Sequence, residues 1–179
     1  MKNLKIKQFS VRSIIFSGLL AAAFLAVGSS AAQAHNDADC ETKQCRKQLA
    51  AARAATAKYH DVNNALADGF INTGQCVQHP FLGAMGIHFV NPARIGNPRV
   101  DAAEPEILLY LPNEDGEMRL VGLEYVVPAP LSPIAPVLFG QEFHFDAPRN
   151  QWALHVWAWR NNPNGMFADF NPKLSCPQT

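Results

Sequence analysis

The sequence lacks the features of several large functional classes. Its 15 Lys and Arg residues are matched by 15 Asp and Glu residues, so the chain has no excess of positive charge for binding a phosphate backbone. It contains no Gly-x-Ser-x-Gly motif, no phosphate-binding glycine loop and no dinucleotide-binding glycine motif. No internal repeat is present either. These absences argue against nucleic acid as a partner, and against α/β serine hydrolases and nucleotide-binding enzymes.

The amino-acid composition is typical of one globular domain. The chain has 179 residues, of which 48% are hydrophobic and 17% are charged. Such a chain has enough apolar side chains to bury a core, and it is too apolar for a disordered protein. Its length is typical of a single domain with a short accessory segment.

The first 34 residues have the pattern of a secretory signal peptide. Four basic residues and no acid precede an apolar run over residues 14–27, and Ala32-Gln33-Ala34 supplies the small residues of a cleavage site. The apolar run is too short for a stable membrane span, and no cysteine stands directly after the cut for lipid anchoring. The sequence therefore predicts export to the periplasm or beyond, without a membrane anchor, and a mature chain that begins at His35 with a flexible segment over residues 35–42.

Four cysteines follow the predicted signal peptide. An even number of cysteines in an oxidising compartment favours disulfides, and four cysteines allow three pairings. We favour Cys76–Cys176, which would tie the end of the first helical segment to the C-terminal tail, together with Cys40–Cys45, which closes a small loop. The sequence has no Cys-x-x-Cys motif for redox, zinc or haem chemistry.

Hydrophobic periodicity divides the rest of the chain into one helix and five strands. Apolar residues at steps of three or four predict a helix over residues 43–67 that ends at Gly69. Strand-type runs follow at residues 85–90, 106–111, 118–127, 141–145 and 152–159. This order predicts a single α+β domain over residues 43–179, with the helix packed on a curved antiparallel sheet or small barrel. The apolar, proline-containing segment 128–139 either covers one end of the core or walls a pocket.

Three polar residues stand in strands that are apolar on both faces or beside apolar neighbours. Glu124 lies among Leu, Val and Gly, with Leu120 on the same face by strand parity. His155 lies in the last predicted strand and His88 in the first. A buried carboxylate needs a cation, a hydrogen-bond donor or a proton, so we expect these groups to meet across neighbouring strands.

One interpretation makes His88, Glu124 and His155 a metal site. Two imidazoles and one carboxylate are a common ligand set for zinc or non-haem iron, and copper is a further candidate. Glu106, which opens the second strand, and His79, before Pro80, are additional candidate ligands. The same cavity could take a small molecule, and a metal with an open coordination position would permit an enzymatic reaction.

The other interpretation is structural. The His/Glu cluster would then only satisfy buried polar groups in a non-catalytic structural or interaction module, with no cofactor. The sequence contains neither the His-x-His nor the His-Glu-x-x-His spacing that would favour the metal. His144, between two phenylalanines, is expected to point outward and carries less weight.

Five blocks of the sequence resemble those of a group of exported bacterial proteins with no assigned activity. They are GAMGIHFVNP (83–92), PEILLYLP (105–112), LVGLEYVVP (120–128), LFGQEF (138–143) and LHVWAWRNNPNGMFADFNP (154–172). The resemblance implies a shared fold and no particular reaction. The blocks contain His88, Glu106, Glu124 and His155, but not His79.

Overall fold

The computed structural model describes residues 39–177, and the predicted signal peptide and its cleavage site lie outside this range. The first helix, α1 (Lys43–Thr56), begins where the Thr42 hydroxyl accepts a hydrogen bond from the backbone N–H of Cys45 over 3.0 Å. Cys40, at the end of the expected flexible segment, is buried.

The single helix expected over residues 43–67 is two helices in the structure. A 3-10 turn, Ala57–His60, separates α1 from α2 (Val62–Ala67). The Thr56 hydroxyl donates back to the carbonyl of Ala52, a contact that often bends helices, and the Asp61 side chain caps the start of α2. The helical segment ends as expected at Gly69, whose φ of +88° is the left-handed conformation that glycine adopts most readily.

An antiparallel sheet of six strands, curled into a half-barrel, is the main element of the fold, and the expected α+β class is confirmed. Its order is β1-β2-β3-β4-β8-β7, and β5 and β6 form a separate two-stranded ribbon. The strands are β1 (Ile71–His79), β2 (Gly83–Val90), β3 (Ile107–Pro112), β4 (Met118–Pro128), β5 (Val137–Leu138), β6 (Gln141–Glu142), β7 (His144–Asp146) and β8 (Gln151–Val156).

The strands differ from the prediction in three places. The sequence predicts no strand over residues 71–79, but β1 lies there, because this mostly exposed and polar segment is held by its pairing with β2. The strand expected over residues 141–145 is divided between β6 and β7, which pair with different partners. The last strand also ends at Val156, since the chain turns away before Trp159.

One face of the sheet packs against the helices and forms the larger part of the core. Leu108, Tyr110, Leu123 and Tyr125 belong to this core, together with residues of both helices and the turn between them. The Tyr110 hydroxyl donates a hydrogen bond of 2.6 Å to the backbone carbonyl of Tyr59, which ties the sheet to that turn. Burying these aromatic and aliphatic side chains is the main stabilising contribution to the fold.

A β-bulge in β4 changes which residues share a face. Leu109 pairs with Gly122 while Tyr110 pairs with Leu120, so Val121 is the extra residue. Leu120 therefore packs with the helix-side core, whereas Glu124 faces the opposite side of the sheet. The parity expectation that placed Leu120 and Glu124 on one face was wrong for this reason.

The proline-containing segment 128–139 covers the core. Leu138 and Phe139 of this segment are buried in the core, and none of the segment's residues lines the cleft described below. The backbone N–H of Phe139 donates to Oε1 of Gln48 over 2.9 Å, which attaches the segment to α1. Of the two expected roles, the segment therefore covers the core and does not wall the cleft.

Two disulfides close the described part of the chain, and they are the two pairs favoured from the sequence. Cys40–Cys45 spans five positions, and Cys76–Cys176 spans 100. Cys76 lies within β1 rather than at the end of the helical segment, so its disulfide ties an edge strand to the C-terminal tail. Among the described residues, no helix has the length and apolar character that a membrane span requires.

Candidate metal centre

Three strands of the sheet bring the candidate ligands to one face. Glu124 of β4 is the direct register partner of His155 of β8. His88 of β2 reaches the same place across β3, where Ile107 pairs with Glu124 and Leu109 pairs with His88. Because successive side chains of a strand alternate between faces, this register directs all three polar side chains away from the helices.

The donor atoms form a small triangle. Nε2 of His88 lies 3.3 Å from Oε2 of Glu124, and Nε2 of His155 lies 3.7 Å from Oε1 of the same carboxylate. One nitrogen from each ring and one carboxylate oxygen all lie within 4.8 Å of one another. Donors bound at about 2.1 Å to a tetrahedral zinc ion are about 3.4 Å apart, which is close to both nitrogen–oxygen distances, each to a different oxygen of Glu124.

Several polar atoms of the triangle are buried without a hydrogen bond. Glu124 is 5% exposed and His155 is 2% exposed, while His88 is half-buried. Within the described chain, Oε2 of Glu124, Nε2 of His155 and Nδ1 of His88 have no hydrogen-bond partner. Buried polar atoms are costly when unpaired, and their concentration at one point is a feature that calls for a functional explanation.

The charges of Glu124 and His155 stabilise each other. Burial by itself raises the pKa of Glu124, but the nearby His155 and His88 outweigh burial and hold that pKa below its ordinary value. Burial lowers the pKa of His155, but Glu124 and Asp169 outweigh it and raise the pKa above its ordinary value. A divalent cation bound between these side chains would displace the proton that His155 holds because its pKa is raised.

Asp169 completes the site, although it is not among the candidate residues predicted from the sequence. Its Oδ1 lies 3.1 Å from Nδ1 of His155 and 3.6 Å from Nδ1 of His144. Burial raises the pKa of Asp169, but the hydrogen bond and charge of His155 hold it below its ordinary value. Because an ionised carboxylate only accepts, Nδ1 of His155 carries the proton and Nε2 faces the triangle, as in the carboxylate–histidine–metal arrangement.

The loop that carries Asp169 is fixed on both sides of this residue. The indole N–H of Trp157 donates to the carbonyl of Ala168 over 2.6 Å, and the amide of Asn162 donates to the carbonyl of Phe170 over 3.0 Å. These bonds fold the chain after β8 back over the sheet. A single acid within an apolar segment was the only local sign of the role of Asp169, since strand parity does not extend into a loop.

The other candidate ligands have structural contacts elsewhere. Oε2 of Glu106 accepts a hydrogen bond of 3.2 Å from the backbone N–H of Val126, and Glu106 is not part of the triangle. Nδ1 of His79 accepts from the backbone N–H groups of Phe81 and Leu82, each over 3.2 Å, and so holds the turn between β1 and β2. The structure thus separates these two residues from the site.

His144 is exposed, in agreement with its expected outward orientation, but it also lies next to the triangle. It lines the same cleft as the triangle, and its ring stacks on that of His155 with the centroids 6.3 Å apart and an interplanar angle of 8°. The side chain is 45% exposed, so it lies between the buried ring of His155 and the solvent.

A cleft of about 570 Å³ opens on the triangle. Side chains from both edge strands of the sheet, β1 and β7, line it, because the sheet curls around this face. Its volume lies within the range of small-molecule binding sites, roughly 300–1,000 Å³. The site therefore combines three side chains that can ligate a metal with space for a further ligand beside them.

The comparisons with known proteins do not supply a function. The chain matches no protein-family model, no curated protein and no solved structure. What the protein does must therefore be inferred from the chemistry of the triangle and the cleft. The structure provides a buried His/Glu group, His88, Glu124 and His155, that could hold a metal ion.

Proposed function

We propose that this protein is an exported metal-binding protein. Its ligands are the imidazoles of His88 and His155 and the carboxylate of Glu124, which lie within 4.8 Å of one another on three different strands. The observation that carries the proposal is that buried ring nitrogens and carboxylate oxygens without a hydrogen bond converge at one point, within 4.8 Å of one another. Asp169 orients His155 from outside the shell.

The donor set limits the choice of metal. Two imidazoles and one carboxylate suit zinc with an open fourth position, and they also suit ferrous iron in a facial arrangement. Copper is the third candidate, because imidazole nitrogen binds it strongly. All three retain at least one position for water or another ligand, so the proposed centre is open toward the cleft.

Export is part of the proposal. Two disulfides favour an oxidising environment, and the first 34 residues have the pattern of a secretory signal peptide. The resemblance of the strand blocks to exported bacterial proteins supports the same location. The proposed partners are therefore a metal ion and a small molecule, rather than nucleic acid or a membrane. Intact mass of the exported protein should correspond to a chain that begins at His35.

Metal content and thermal stability, measured together, test the proposed function. The wild-type protein, purified from the periplasm without a His tag, should contain or take up one equivalent of zinc, copper or iron and gain thermal stability from it. His88→Ala, Glu124→Gln and His155→Ala should each lose both the bound metal and the metal-dependent rise of the midpoint, because such a site needs nearly all its donors. His60→Ala, a histidine outside the triangle, is the matched control and should keep both.

The structural alternative predicts a different result. The opposite pKa shifts of Glu124 and His155 are what a buried ion pair produces without any metal. In that case the wild type would purify without metal, and no added metal would raise its midpoint. His155→Ala would instead cost about 1–3 kcal/mol of unfolding free energy, because it leaves the Glu124 carboxylate without its partner. That combination would overturn the proposed function.

A further inference from the structure

We propose that the cleft beside the metal centre binds a small monocarboxylate with an apolar body, whose carboxylate takes the open coordination position. This inference rests on the proposed function, since it needs a metal between His88, Glu124 and His155. It goes beyond metal binding because it assigns a chemical class to the ligand of the cleft. Three features of the cleft support it, namely its walls, its charges and its position.

The walls of the cleft are mainly apolar. Apolar side chains from three strands and from two loops face it, and each of them is at least partly exposed to solvent. They are Val77, Met85, Val90, Ile95, Phe145 and Phe170. Apolar surface that lines a concave site favours an apolar ligand, because its contact with water is removed on binding.

The charges of the cleft favour an anion at the metal end. A divalent metal with Glu124 as its one anionic ligand leaves a net charge of +1 in the inner shell. Asp169 lies beyond the His155 ring and is shared with His144. Asp146, at the rim, is paired with Arg149 over 3.1 Å, so it adds little net charge. A monoanion neutralises the inner shell, whereas a neutral ligand leaves an uncompensated charge in a poorly solvated site.

The position of the cleft relative to the centre joins these two features. Glu124 and His155 line the floor of the cleft, and the apolar side chains stand around them on both edges of the curled sheet. A ligand that binds the metal through one end must therefore place its other end against apolar walls. An acid group on a single aromatic ring meets both requirements, while acetate meets only the first and benzamide only the second.

The test uses the full mature chain loaded with zinc, and benzoate, acetate and benzamide as probes. Zinc binding is measured first by calorimetric titration. We then expect benzoate to bind the zinc-loaded protein at least tenfold more tightly than acetate or benzamide. In the cobalt-loaded protein, benzoate should change the visible absorption spectrum, because the carboxylate enters the coordination shell of the metal. Metal-free protein should bind benzoate at least tenfold more weakly.

A wall variant tests the contribution of the apolar side chains. Val77→Thr replaces a methyl group of the wall by a hydroxyl at nearly constant volume. It should weaken benzoate binding about fivefold, because the bound ring would cover the hydroxyl without offering it a hydrogen bond. Acetate and zinc affinities should not change. Val137→Thr is the matched control, because Val137 is exposed on β5 and lies outside the cleft, and its affinity for benzoate should equal that of the wild type.

The outcomes separate the two proposals. Failure of the wild type to bind zinc or cobalt would overturn the proposed function and this inference together. If zinc binds but benzoate binds no more tightly than acetate or benzamide, the metal centre stands and the carboxylate inference fails alone. Equal benzoate binding with and without metal, and an unchanged cobalt spectrum, would also overturn the inference, because the ligand would then not reach the metal.

Discussion

Asp169 accepts a hydrogen bond of 3.1 Å from Nδ1 of His155, although one residue belongs to a loop and the other to β8. The contact fixes the proton on Nδ1 and turns Nε2 toward Glu124. It is the connection between the folded-back C-terminal segment and the proposed metal centre. The ring of His155 is therefore oriented before any ligand arrives.

Asp169→Asn should weaken zinc binding by about 10–100-fold, the usual effect of losing a carboxylate behind a ligating histidine. The fold should persist, because Asp169 is 37% exposed and asparagine has nearly the same volume. Competition against a chromophoric chelator measures the affinity. Asp115→Asn, in the exposed turn before β4, is the control and should bind zinc as the wild type does. An unchanged affinity in Asp169→Asn would contradict the orienting role.

Zinc affinity should fall as the pH is lowered. The pKa of His155 is raised, because Glu124 and Asp169 outweigh the effect of burial, so the metal-free ring holds a second proton that zinc must displace. Below this raised pKa we expect an affinity loss of up to about tenfold for each pH unit. Calorimetry in two buffers of different ionisation enthalpy counts the protons released. Release of no protons near pH 6 would contradict the expectation.

Glu106 should make the protein less stable as the pH rises from about 4.5 to about 7. Burial raises the pKa of its carboxyl to about 7, only partly opposed by the N–H of Val126, so the folded chain keeps a proton that the unfolded chain has lost. A shift of this size corresponds to about 3 kcal/mol of unfolding free energy. Glu106→Gln, which can still accept from Val126, should remove this part of the pH dependence in urea denaturation between pH 4 and 8. A variant with the wild-type profile would show that Glu106 ionises normally.

Removing the disulfide between β1 and the C-terminal tail should destabilise the protein more than removing the N-terminal one. In the chain-entropy model, closing a loop of about 100 residues contributes about 4–5 kcal/mol, and a loop of five residues contributes about 2 kcal/mol. The double variant Cys76→Ser with Cys176→Ser should therefore show the larger loss in denaturant unfolding. The corresponding double variant of Cys40 and Cys45 is the comparison. Equal losses would mean that the constraint on the unfolded chain does not decide the effect.

Gly83→Ala should damage both stability and the metal centre. A Cβ at Gly83 would lie 2.0 Å from the backbone oxygen of Asn171, and the φ of +92° is itself unfavourable for alanine. The clash would separate Ala84 from its bridge partner Asn171, two residues after Asp169. We expect a loss of about 2 kcal/mol or more in unfolding free energy, together with weaker zinc binding.

The control for Gly83→Ala is Gly96→Ala. Gly96 has a similar φ of +104°, but a Cβ there would have no atom within 4 Å. It should show only the backbone cost, about 1 kcal/mol, and normal zinc affinity. If both variants behave alike, the close approach of Gly83 to Asn171 has no role beyond its backbone conformation.

Local patterns were sufficient for much of this protein. The periodicity over residues 43–67 predicted helix, and the apolar runs predicted β2, β3, β4 and β8, because burial of one or both faces of these elements imposes a period on the sequence. The end at Gly69 followed from the conformational freedom of glycine. His88, Glu124 and His155 were candidate ligands because they are polar residues in strands whose other residues are mainly apolar.

Only the tertiary structure decided the rest, because it depends on contacts between distant parts of the chain. The polar edge strand β1 exists through its pairing with β2, and the bulge at Val121 turns Glu124 away from the helices. Asp169 reaches His155 because Trp157 and Asn162 hold the loop around it. None of these relationships has a period in the sequence, so the pattern of residues alone could name the three candidate ligands but could not show that they meet, or what orients them.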